Sequence, residues 1–249
     1  MFPIRDTTPT RRTPYVVYAL IAVNAVAFLY ELGLQGHPQE LQRFFMHWGI
    51  LPVRYSDPRI AAHFTWVEQV LPFVTSMFLH GGFMHIIGNM WMLWIFGDNV
   101  EDWFGHGAFA AFYLLCGVAS GLLHLAFNWG SPLPTIGASG AIAGVMGAYF
   151  LLYPNARVLT LVPIFFFITF LEIPAYVFLG LWFLIQFLSG TASAAAGGAG
   201  GIAWWAHIGG FVAGAAIVFL LGRGKPRRPE PKARRPTLKS PWDKVDEYW

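Results

Sequence analysis

Four side chains in this sequence have the types and the spacing to do chemistry together: Ser139, His207, His85 and Asn89. Ser139 opens an apolar segment after Thr135-Ile136-Gly137-Ala138, and small residues surround it. Ser139, Ala143 and Gly147 repeat at i, i+4, i+8, as do Gly140, Gly144 and Ala148, so a helix here carries a wide face without side-chain bulk. His207 sits beside a second such stripe, Ala206, Gly210 and Gly214. Two faces of this kind approach closely, and an imidazole then reaches a serine hydroxyl, the geometry in which a general base activates a nucleophile. A histidine in lipid is costly unless paired, which favours a functional reading of His207. A serine on the first turn of a helix also has unpaired backbone N–H groups and the positive end of the dipole beside it, a setting for an oxyanion. His85 and Asn89 lie one turn apart on one face and add further donors, whereas His80 points elsewhere. Plainer readings stand beside these: small faces pack membrane helices of every function, Asn89 could bridge two helices, and His85 could be structural.

Other hydrolytic chemistries lack their residues. No Asp or Glu falls in 139–153 or 202–221, so a Ser-His dyad is left rather than a triad. No His-Glu-x-x-His is present for a metal, and Asp98 has no second intramembrane aspartate. A metal held by His80, His85 and His207 would leave Ser139 idle; neither metal nor cofactor is expected.

The elements that must position these residues are membrane helices. The chain of 249 residues is 56% hydrophobic and 12% charged, against roughly 25% charged in a soluble domain. Its apolar blocks are long enough to cross about 30 Å of hydrocarbon as helices, and no alternating segments suggest a barrel. Six spans are expected: Tyr15–Leu34, Phe83–Gly97, Gly107–Phe127, Ser139–Tyr153, Pro174–Leu188 and Ile202–Leu221. Residues 1–14 form a polar leader, 15–222 an all-α six-helix membrane domain, and 223–249 a disordered basic tail. Residues 35–82 make a long outer loop whose aromatics suit a membrane interface. Asp98, Glu101 and Asp102 cap the inner end of the second span in a short turn, His106 and His124 sit at interfaces, and Cys116 is a small core residue. Val158–Phe170, interrupted by Pro163, reads as re-entrant or interfacial, and Ser189–Gly201 as a flexible low-complexity segment. The span from Ser139 holds 15 residues, about 22 Å at roughly 1.5 Å per residue, so it starts below the outer surface. Its lead-in must then be packed in protein or line a hydrated cavity.

Of 16 Lys and Arg, nine lie between Arg223 and Lys244 and three in the first twelve residues, which puts both termini in the cytoplasm. A polybasic tail beside a membrane helix meets anionic lipid; nucleic acid is not an expected partner. From a cytoplasmic start, His85, Ser139 and His207 all fall towards the outer face at similar depth.

Gly137-Ala138-Ser139-Gly140, the His80, His85, Asn89 spacing, and Ala206-His207-Ile208-Gly209-Gly210-Phe211-Val212-Ala213-Gly214 together resemble the rhomboid intramembrane serine proteases, over roughly residues 77–222. The resemblance implies a six-helix bundle that cleaves transmembrane segments of other proteins near the outer face. It makes Ser139 the nucleophile, His207 the base, and His85, Asn89 and the Ser139 N–H the oxyanion donors. Gly137 then shapes the turn into the serine, Gly140, Gly210 and Gly214 allow close helix packing, and Ser189–Gly201 lies over the opening as a mobile cap. Many rhomboids carry a Trp-Arg pair in the first long loop, where this chain reads Gln69-Val70-Leu71-Pro72-Phe73. Two rivals are a non-catalytic relative that binds membrane helices and a transporter relaying protons through His85, His124 and His207. The kept serine and histidine argue against the first, and the lack of intramembrane carboxylates and of a clear repeat against the second.

Overall fold

The computed structural model describes residues 2–164, 167–195 and 203–222. Strand β1 (Phe2–Asp6) precedes a long helix α1 (Tyr15–Leu34), and five short helices follow: α2 (Pro38–Trp48), α3 (Val53–Ser56), α4 (Pro58–Ala61), α5 (Trp66–Val70) and α6 (Pro72–Thr75). A 3-10 turn (Ser76–Phe78) leads into α7 (Phe83–Phe104), then α8 (His106–Phe127) and α9 (Ser139–Leu152). Strands β2 (Arg157–Ile164) and β3 (Phe167–Pro174) precede α10 (Ala175–Ala195) and α11 (Trp204–Leu220).

Burial patterns show which helix is the axis. In α9 every residue from Gly140 to Tyr149 is buried, so this helix is wrapped by its neighbours on all sides. In α1 only Val17, Asn24, Phe28 and Glu31 are buried, a narrow stripe that leaves the other faces apolar and outward. By length and composition α1, α8 and α10 (over Ala175–Ala192) can each cross a membrane. The piece Trp66–Phe78 qualifies jointly with α7, across an 81° bend, while α9 and α11 are shorter apolar helices. The protein is thus an integral membrane protein built mainly of helices.

Three expectations change at the end of the bundle away from Ser139. The fold is not purely α: β1, β2 and β3 form an antiparallel sheet in that order, with Phe2 opposite Leu161 and Ile164 opposite Phe167. The segment read as re-entrant is the β2–β3 hairpin, rich in the β-branched and aromatic residues that suit strands. Pro163 would break a helix, yet it fits the central strand because it lies past Leu161, the last residue that β1 pairs. Helix α7 also runs on to Phe104, so Asp98, Glu101 and Asp102 lie within it rather than in a turn. Glu101 is buried and accepts the N–H groups of Val16 and Val17 at 3.0 and 2.9 Å, capping the start of α1. His106 meets the same carboxylate, Nδ1 to Oε1 at 2.6 Å.

At the other end, the expected long loop 35–82 carries the short helices α2 to α6. The buried Arg54 holds it: the guanidinium donates to the carbonyls of Met46, His47 and Glu68 and lies 3.9 Å over the Phe64 ring. The stretch without the Trp-Arg pair forms α5 and α6 within this framework. Trp66, Val67 and Val70 project outward, as residues at a membrane interface do. Helix α10 continues to Ala195, so the first half of the expected flexible segment is helical. The rest of that segment and the basic tail lie outside the described residues.

Candidate active site

The chain enters α9 through a loop held on three sides. Ile50 and Thr135 exchange backbone hydrogen bonds at 3.0 and 2.8 Å, and the Val53 N–H donates to the Ser131 carbonyl. The Gly137 N–H donates to the Ser76 carbonyl at 2.8 Å. His124, in the last turn of α8, is buried with Nε2 at 2.6 Å from Thr135 Oγ1, pinning the loop to α8. Gly137 has φ +129°, which a residue with a Cβ adopts only under strain. A Cβ there would also press on the His85 ring, 2.7 Å from Nε2.

Beyond this turn, α9 meets α11 backbone to backbone. A Cβ on Gly210 would overlap the Gly140 carbonyl, and one on Gly214 the Gly144 carbonyl. On its other side α9 admits α8 just as closely, with Gly140 against Ser120 and Gly144 against the buried thiol of Cys116. The α9–α11 contacts are possible only where neither helix carries side-chain bulk, whereas towards α8 the glycines of α9 receive the small side chains of Ser120 and Cys116.

This packing brings two residues 68 positions apart into contact: His207 Nε2 lies 2.8 Å from Ser139 Oγ. Both residues are partly buried. Among the described residues no side chain caps α9, so its first N–H groups have no side-chain acceptor. His85 sits against Gly137, and its Nδ1 accepts from the Gly81 N–H at 3.4 Å, which assigns the proton of the neutral ring to Nε2. Asn89 follows one turn along α7, with Nδ2 buried and without a hydrogen-bond partner among the described residues. His80 packs edge-on against the His85 ring, while its backbone N–H is held by both carboxylate oxygens of Glu31.

Sequence reasoning missed three contributors. Thr135 acts through a loop contact that no periodicity reveals, and Glu31, buried within α1, corrects the expectation that the spans hold no carboxylate. Gln186, buried on α10, places Oε1 at 2.7 Å from His207 Nδ1. Its signal was present, since it is a lone amide within Leu181-Trp182-Phe183-Leu184-Ile185-Gln186-Phe187-Leu188.

Fold and site together define a helical membrane protein with a serine–histidine pair at the start of its central helix. The family model described as Rhomboid domain matches residues 67–224, and the chain belongs to that family. It is similar to "Rhomboid protein 1, mitochondrial" of Saccharomyces cerevisiae, 30% identical over 206 residues, 80% of this chain and 51% of that protein. It also resembles "Rhomboid protease GluP" of Bacillus subtilis, 40% identical over 75 residues, 30% of this chain and 14% of that protein. "Presenilin-associated rhomboid-like protein A, mitochondrial" of Danio rerio is 34% identical over 99 residues, 39% of this chain and 26% of that protein. The chain therefore spans about half the length of the yeast relative and a smaller share of the other two.

Proposed function

We propose that this chain is a serine endopeptidase that cleaves transmembrane segments of other membrane proteins. The observation that carries the reading is the 2.8 Å contact of Ser139 Oγ with His207 Nε2, between helices that approach through glycines. His207 takes the hydroxyl proton as Oγ attacks the scissile carbonyl. The oxyanion receives hydrogen bonds from the Ser139 N–H, His85 Nε2 and Asn89 Nδ2, the last a donor with no partner among the described residues. His207 then gives its proton to the leaving amine, and water resolves the acyl-enzyme by the same route.

The arrangement in the membrane belongs to the same proposal. Helices α1, α7, α8, α9, α10 and α11 make six crossings, with residues 1–14 and 223–249 flanking the membrane domain in the cytoplasm and the site opening outward. A peptide bond inside a helix is shielded from attack, so substrates unwind locally, and small or helix-breaking residues beside the scissile bond are favoured.

Purified wild type in liposomes is expected to cut a single-pass substrate within or next to its apolar segment, and Ser139→Ala and His207→Ala to leave it whole. Cleavage that survives in Ser139→Ala overturns the assignment. An intact substrate with wild type, bound equally by Ser139→Ala, favours a helix-binding protein instead.

A further inference from the structure

The helix pair α9–α11 sets how far His207 stands from Ser139, yet it leaves open which ring nitrogen carries the proton. A general base needs Nε2 bare towards the hydroxyl, hence the proton on Nδ1. Within the small-residue seam nothing bonds Nδ1. The partner comes from α10, which turns Trp182, Gln186 and Gly190 towards α11 at i, i+4, i+8. Gly190 allows the approach: a Cβ there would stand 3.2 Å from Cβ of Trp204. The Trp182 ring lies 5.9 Å from the His207 ring and limits its tilt, and the buried Gln186 Oε1 meets Nδ1 at 2.7 Å.

We propose that Gln186 is a positioning residue that holds His207 as the Nδ1–H tautomer, so that the working unit is Ser139–His207–Gln186. This rests on the protease reading above. The amide oxygen accepts the Nδ1 proton throughout. When Ser139 gives its Oγ proton to Nε2, the imidazolium keeps a hydrogen bond on each side, and only the Nε2 proton moves on to the leaving amine. A neutral amide can serve this way, as asparagine does beside histidine in papain-like cysteine proteases. The opposite tautomer would put a proton on Nε2, facing the hydroxyl, and abolish its use as a base.

The test compares wild type, Gln186→Leu, Gln186→Glu, Ser139→Ala and His207→Ala in liposomes, by substrate cleavage and by labelling with a fluorophosphonate. Gln186→Leu keeps the volume but removes the acceptor, and kcat is expected to fall about tenfold with KM unchanged. Gln186→Glu is expected to recover most of that rate at neutral pH. The added carboxylate stabilises imidazolium, so the acid limb of the pH profile moves to higher pH. The other titratable groups facing this ring, His85 and His124, are unchanged in every variant. Wild-type rates in Gln186→Leu with an unmoved acid limb in Gln186→Glu overturn the proposal while leaving the protease reading intact. Should Gln186→Leu not fold, the limb of Gln186→Glu decides alone. A wild type inert to both substrate and label overturns both readings.

Discussion

His207 is gripped from two sides by different means. Towards α9 the contact is backbone on backbone: Gly140 against Gly210 and Gly144 against Gly214, with no room for a methyl group. Towards α10 the contact is side chain on side chain, with the rings of Trp182 and Phe183 against Phe211 and the Gln186 amide against the imidazole. Helix α10 is also far more exposed along its length than α9. The difference teaches that distance and protonation are set separately. A seam of glycines has nothing to rearrange and fixes the Ser139–His207 separation, whereas in the proposal above a single amide on a more exposed helix decides where the ring proton sits.

The sharpest way to break the comparison is Gly210→Val. Its side chain would drive α11 off the Gly140 carbonyl, so labelling of Ser139 should fall at least about 100-fold, with roughly 3 kcal/mol of stability lost in detergent unfolding. Next comes Gly137→Ala, which strains the turn at φ +129° and pushes on His85 without touching the seam. It should cost about 1–2 kcal/mol in stability and roughly tenfold or more in kcat, read from cleavage rates. Far from the site, Glu101→Gln weakens the cap on α1 and its contact with His106. Thermal unfolding should register about 1–2 kcal/mol, with the activity of the folded fraction unchanged.

The smallest effect concerns Asp6, which accepts from the Tyr149 hydroxyl at the end of the bundle away from the site. Burial raises its carboxyl above the ordinary value, with the Tyr149 bond opposing. The native state therefore holds the proton more tightly than the unfolded chain, and stability falls as pH rises from the ordinary carboxylate range through the raised value. Asp6→Asn should flatten that slope in unfolding measured against pH and leave cleavage unaltered.

Much of this was legible in the residues, and the illegible parts have physical causes. The glycine stripes and the two far-separated residues Ser139 and His207 could be read because small-residue spacing on a helix is local and periodic. The sheet could not: β1 lies in a short polar leader and finds its partner more than 150 residues later, and β2–β3 is as apolar as a membrane segment. Within the 35–82 segment the role of Arg54 was hidden because it reaches three carbonyls, a tertiary arrangement with no signature in spacing. The contact of His124 with Thr135 was hidden for the same reason, since Thr135 sits on a loop.

The most direct test of the whole account is mass spectrometry of the protein after fluorophosphonate treatment in liposomes. The account predicts one adduct per chain, on Ser139, present in wild type and absent from both Ser139→Ala and His207→Ala. An adduct elsewhere, or undiminished labelling without His207, would contradict it.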